Sequence, residues 1–156
     1  MSEQSAIAAV EAAGIEYEVT RHGRVNSLEE AAAARGITPQ DLIKTLVVRR
    51  AEDDYLFVLI PGGREISWPK LRALLRVNRL SMPDAVTARE ATGYDRGTIT
   101  PFGSTTAWPV IADTLVAEPD RPISIGCGAH GVGLTVSAGS ALEALGAQVA
   151  DVSVEA

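Results

Sequence analysis

The amino-acid sequence predicts an α/β fold of the α+β type, with a mixed or largely antiparallel sheet, and three observations lead there. Apolar residues make up 46% of the 156 and charged residues 22%, the composition of an ordinary packed domain rather than of a disordered or fibrous chain. Two apolar runs, Ile43 to Arg50 and Tyr55 to Ile60, flank the polar turn Glu52-Asp53-Asp54 in a hairpin pattern. Elsewhere helical and strand patterns mingle without the regular β-α-β-α spacing of a doubly wound sheet. The length is that of one domain, residues 1–156.

In chain order, Ser5 to Ala13 reads as a short amphipathic helix stopped by Gly14. Ile15 to Val19 alternates apolar and acidic residues, as a strand with one wet face does. Ser27-Leu28-Glu29-Glu30 is a capping box opening a helix through Ala34, which Gly36 ends. Thr38-Pro39 starts another short helix. After the hairpin, Pro61-Gly62-Gly63 breaks the strand. Ser67-Trp68-Pro69 then opens a helix to Leu75, and Met82-Pro83-Asp84 opens another to Ala91, stopped by Gly93. From Gly97 the chain is rich in Gly and Pro, with short strands at Val110–Ala112, Ile123–Ile125 and Leu134–Val136. Ser137 to Leu145 reads as a final helix and Gln148 to Val152 as a final strand.

The formal charge is −6, from 14 basic and 20 acidic residues, which weighs against a protein that coats duplex nucleic acid through many phosphate contacts. The charges are unevenly placed. Residues 42–80 carry eight bases and four acids, a net +4 in an otherwise acidic chain, and Lys70, Arg72, Arg76 and Arg79 cluster on or near one helix. This is either a solvated helix face or a patch for tRNA backbone, and such a patch would bind modestly and with strong salt dependence. One cysteine, Cys127, rules out an internal disulfide and a thiolate zinc cluster, and two histidines do not complete a metal-ligand set. No metal or cofactor is expected. No run reaches the ~18 apolar residues of a membrane span, and Met1-Ser2-Glu3-Gln4 lacks the basic start of a signal peptide. A cytoplasmic protein is the reading, with no membrane partner. The oligomeric state is left open, a monomer fitting this length.

Three segments carry candidate chemistry. Lys44 lies in Ile43-Lys44-Thr45-Leu46-Val47-Val48, a strand apolar on both faces. A lysine there either snorkels to water at the strand end or opens onto a cavity, because an unpaired buried ammonium is costly. Gly126-Cys127-Gly128-Ala129-His130-Gly131-Val132-Gly133 holds four glycines that let backbone N–H groups approach an anion or oxyanion. The loop leads into a strand, so it is neither a P-loop nor a dinucleotide fingerprint. Its Cys127 and His130 are either pocket lining or a thiol nucleophile with its base. Gly97-Thr98-Ile99-Thr100-Pro101-Phe102-Gly103 is a stiff loop carrying one aromatic.

Together these segments resemble, in order and spacing, the YbaK/EbsC family of free-standing aminoacyl-tRNA deacylases, related to the editing domain inserted in bacterial prolyl-tRNA synthetases. Ile60-Pro61-Gly62, Ala91-Thr92-Gly93-Tyr94, Val110-Ile111-Ala112-Asp113 and Val149-Ala150-Asp151-Val152 complete the likeness, which runs from about Ile7 to Val152. It implies a curved mixed sheet with surrounding helices, one face lining a pocket for the 3′ end of a mischarged tRNA. It implies hydrolysis of the ester between a wrongly attached amino acid and the terminal adenosine. Lys44 would position the tRNA end or the ester electrostatically, and Gly128 with its loop would offer N–H groups to the carbonyl. Thr45, Gly126 and Pro101-Phe102-Gly103 would line the pocket. A synthetase or an elongation factor is a further implied partner, supplying tRNA selectivity.

The chain departs from members that remove cysteine from proline tRNA. Those carry Ser-Gly-Gly-Lys-Arg-Gly where this chain has Gly126-Cys127-Gly128-Ala129-His130-Gly131. An acid a little further on is replaced by Gly133, and His22 stands where those members have a tyrosine. His22, Cys127 and His130 would line the amino-acid end, so the substrate expected is a small amino acid rather than cysteine in particular. A binding module without turnover, and a thiol hydrolase built on Cys127 and His130, are the competing readings.

Overall fold

The computed structural model describes residues 3–156; Met1 and Ser2, part of the N-terminal reading, lie outside the described residues. Helix α1 (Glu3–Ala12) leads to strand β1 (Tyr17–Arg21), and helix α2 (Leu28–Ala34) to a 3-10 turn (Pro39–Asp41). The β2 (Ile43–Ala51) and β3 (Asp54–Pro61) hairpin follows, then β4 (Arg64–Ile66), α3 (Trp68–Leu75) and α4 (Ala85–Thr92). The last third is β5 (Val110–Asp113), α5 (Thr114–Ala117), β6 (Pro122–Gly126), β7 (Val132–Ser137), α6 (Ala138–Leu145), β8 (Gln148–Ala150) and β9 (Ser153–Glu155).

Local chemistry sets the boundaries. Ser27, Ser67, Asp84 and Ser137 cap α2, α3, α4 and α6, each side chain accepting an amide three residues on. Gly93 and Gly146 end α4 and α6 in the left-handed conformation that glycine adopts without penalty. The first strand starts later than its alternating pattern, because the Ile15 amide still bonds back to the Val10 carbonyl at the end of α1. The strand expected over 148–152 ends at Ala150, and a further short strand starts at Ser153. After β8 the Val152 amide turns to the Asp113 carboxylate, and β9 pairs with β4. Strands β4 and β9 and helix α5 span only three or four residues, too few for a periodic signal.

The sheets are mixed. Strands run in the order β1-β7-β6, all antiparallel, and β2-β3-β5-β8, in which β2 and β3 are antiparallel while β5 lies parallel to both β3 and β8. A parallel bridge between Leu42 and Ser124 joins the two sheets at the start of β2. The central sheet is buried on both faces, as the apolar runs require. Ile43, Val47, Phe57 and Leu59 pack into the larger core with β6, β7 and α6. Val48, Leu56, Val58 and Ile60 pack on the other side beneath Leu71 of α3.

Candidate active site

The edge of β2 away from β3 creates the site. The Phe57 amide donates to the Pro109 carbonyl (2.8 Å) and so faces away from β2. Its partner Val47 therefore sits in a non-hydrogen-bonded pair, and Val47 and Thr45 turn their own amides and carbonyls to the outer edge. Arg49 continues this alternation: its amide donates to Ser81 (2.7 Å) and its carbonyl accepts from Ser81 (3.1 Å). Between the Leu42–Ser124 and Arg49–Ser81 bridges no strand among the described residues pairs with this edge. Along it runs a cavity of about 320 Å³.

The cavity is lined by residues 42–47, by Met82 and Pro83, and by Gly97, Ile99 and Gly126. Its lining contains three cations, Arg35, Lys44 and Arg96, and no carboxylate. Lys44 is half-buried and its Nζ donates to the Arg64 carbonyl. Burial pushes its ammonium below the ordinary lysine range, with Glu65 pulling weakly the other way. Thr45 Oγ1 is buried beside the cavity without a hydrogen-bond partner among the described residues.

Arg35 was not legible in the sequence. It reads there as the end of α2, one residue before Gly36. In the fold it reaches across β7, donating through Nε to His22 Nε2 (3.3 Å) and through a terminal nitrogen to Ser124 Oγ (3.1 Å). Burial lowers its pKa, and it has no carboxylate partner among the described residues. The one local sign of it was Gly133, whose missing side chain leaves the space.

Lys44, Thr45 and Gly126 thus meet at one cavity, and His22 stands behind it through Arg35. The other residues singled out in the sequence lie elsewhere. The Gly128 amide is committed to the Thr98 carbonyl (2.9 Å), so it ties the glycine loop to the 97–103 segment instead of facing the cavity as a free donor. Cys127 is fully buried in the larger core, and burial raises its thiol pKa. His130 is exposed, near Gly97, and no hydrogen bond joins it to Cys127 among the described residues. Pro101 borders a separate depression with Trp108. Phe102 is a core residue whose carbonyl accepts from Tyr94 Oη (2.7 Å), a phenol that burial raises to about 12. Gly103 packs against the Ser5 backbone. It is Gly97 and Ile99 that bring this segment to the cavity.

The basic helix also divides. Lys70 Nζ bonds Asp151 (2.9 Å) and the Ser153 carbonyl (3.1 Å), on the β9 side. Arg72 and Arg79 line a second depression with Arg49 and Arg50, while Arg76 is the exposed left-handed cap of α3. No helix among the described residues is long and apolar enough to cross a membrane, and no cluster of metal-ligating side chains occurs among them.

A profile of the aminoacyl-tRNA editing domain matches residues 22–141. The chain is 32% identical over 92 residues to a proline–tRNA ligase of Bacillus licheniformis, covering 59% of this chain and 16% of the ligase. It is 35% identical over 98 residues to the proline–tRNA ligase of Heliobacterium modesticaldum, covering 63% and 17%. The chain therefore spans about a sixth of the length of these curated relatives. The crystal structure of a hypothetical protein matches with a TM-score of 0.86 at 24% identity, over 96% of this chain and 99% of that one. A candidate trans-editing enzyme for prolyl tRNA synthetase matches at 0.85 and 24%, over 97% and 96%. These two share the fold, an α/β architecture with a mixed sheet and surrounding helices. With three quarters of its length under the family profile, this chain belongs to the aminoacyl-tRNA editing domain family.

Proposed function

We propose that the chain hydrolyses, in trans, the ester that joins a small amino acid to the 3′ end of a mischarged tRNA. The observation that carries this is the cavity on the β2 edge, where a half-buried Lys44 is held among apolar walls with two further cations and no carboxylate. Such a lining suits an electron-rich ligand, and its volume fits an aminoacyl group with part of a ribose. The likeness of the ligase relatives makes proline tRNA the first to test.

Water adds to the ester carbonyl carbon, the bond to the ribose oxygen breaks, and the proton from water ends on that oxygen. Amino acid and tRNA leave. Charge builds on the carbonyl oxygen in between, and Lys44 or Arg96 at the cavity is the electrostatic complement to it. Among the described residues no histidine or carboxylate lines the cavity to act as base. Positioning and charge stabilisation, with the neighbouring ribose hydroxyl as a relay, then supply the rate on an already activated ester.

Deacylation assays on a panel of mischarged tRNAs test this, with Lys44→Met as the variant. Loss of at least ~100-fold in kcat/KM, with the circular dichroism spectrum retained, is the expected result. Full activity in Lys44→Met would sink the assignment. Tight binding with no single-turnover cleavage of any substrate would instead establish a binding module.

A further inference from the structure

Beyond the Arg49–Ser81 bridge lies the second depression, lined by Arg49, Arg50, Arg72 and Arg79 against one acid, Glu52. Arg50 is paired with Asp54 (3.0 Å), whereas Arg72 and Arg79 make no ion pair among the described residues. Two shared elements connect the sites. Strand β2 runs from the cavity, at 43–47, into the groove, at 49–51. The segment after α3 walls the groove with Leu80 and Ser81 and the cavity with Met82 and Pro83.

We infer that this arginine groove is the track for the phosphate backbone of the RNA strand whose 3′ end enters the cavity. The inference rests on the proposed function and adds a path and a length to it. Arg49 lies five positions beyond Lys44 on β2, a span of ~17 Å. At ~3.4 Å of axis per phosphate along one strand, that is about five stacked nucleotides, fewer if the end is extended. The arginines present planar donor forks that suit phosphate oxygens. With few aromatics, 4% of the chain, contact with the backbone rather than base stacking would hold the strand. Lys70, bonded to Asp151 on the β9 side, lies outside the track.

The test compares alanyl-tRNA, an alanylated acceptor minihelix and 3′-O-alanyl-adenosine as substrates for wild type and the double variant Arg49→Gln/Arg79→Gln. The ratio of kcat/KM on alanyl-tRNA to that on alanyl-adenosine should fall roughly tenfold in the variant, two exposed charge contacts being removed. The slope of log kcat/KM against log salt should flatten by about one per arginine. Anisotropy titration of uncharged tRNA reads the groove separately from hydrolysis, and its affinity should fall by a similar factor. Wild-type failure to cleave any ester, with the affinity loss still seen in the variant, would remove the hydrolase reading and keep the groove. Unchanged affinity and salt slope in Arg49→Gln/Arg79→Gln would overturn the groove. So would an equal loss in Lys70→Gln, since total charge rather than the track would then be responsible.

Discussion

The Arg35 side chain occupies the space beside Gly133, where an added Cβ would sit 2.7 Å from Nε. A helix-end arginine that lines the cavity is thereby placed by a strand glycine 98 positions away in the chain. The neighbouring atoms are the far end of a flexible side chain, and Gly133 has no positive φ that only glycine tolerates. Gly133→Ala should therefore keep its stability within about 1 kcal/mol while pushing Arg35 out of place. A changed ranking of amino acids in the deacylation panel, with an unchanged Tm, is the expected result. An unchanged ranking would separate Arg35 from selectivity.

Gly126 offers the contrast. A Cβ there would lie 2.6 Å from the Ile99 carbonyl oxygen and 3.1 Å from that of Thr98. Backbone cannot swing aside as an arginine can. Gly126→Ala should cost about 1–3 kcal/mol, the range for overpacking, and denaturant unfolding of the two alanine variants side by side checks this.

Lys44 should carry its charge at the expense of the fold. Its folded pKa lies below the unfolded one, because burial disfavours the ammonium. Between those two values the unfolded state binds more protons, so stability rises with pH there, and the penalty is fully present below the folded pKa. Lys44→Met should thus melt no lower than wild type at pH 7 despite its lost activity. The difference between the two should shrink as the pH climbs through the folded pKa toward 10.5. A variant that melts well below wild type at pH 7 would make Lys44 a structural residue.

Cys127 should be chemically quiet. It is fully buried and its thiol is held up by burial, which leaves little thiolate at neutral pH. Alkylation by iodoacetamide should be far slower in the native protein than in urea, and Cys127→Ala should deacylate at the wild-type rate. Rapid native labelling with loss of activity would revive a thiol mechanism.

Much of this fold is legible in the sequence where signals are local. The β2–β3 hairpin, both caps of α4 and the two-faced burial of β2 follow from residues within a few positions of each other. The cavity is less so, because it is assembled from five separated segments. Lys44 stands out as a cation in an apolar strand, but Arg35 becomes visible only when β7 passes beneath it. Pro101 to Gly103 carry the compositional marks of a pocket wall. Tyr94 draws them into the core by taking the Phe102 carbonyl, and Gly97 and Ile99 take their place. Asp113 has a structural use that spacing alone hides. Buried, it caps α5 through the Leu115 amide (3.1 Å) and holds the Val152 amide (2.9 Å), tying β5 to the chain end.

The unpaired edge of β2 also bears on how these molecules behave when crowded together. An edge strand with outward amides and carbonyls is a template on which another chain can add a strand. Here the template lies in a cavity lined also by Met82, Pro83, Gly97, Ile99 and Gly126, with a bridge at either end of the unpaired stretch. A compact ligand group fits such a slot, but an incoming polypeptide strand with side chains on both faces does not. The same walls that shape the cavity therefore guard the protein against sheet-to-sheet aggregation, and truncating the 80–83 segment should expose that hazard.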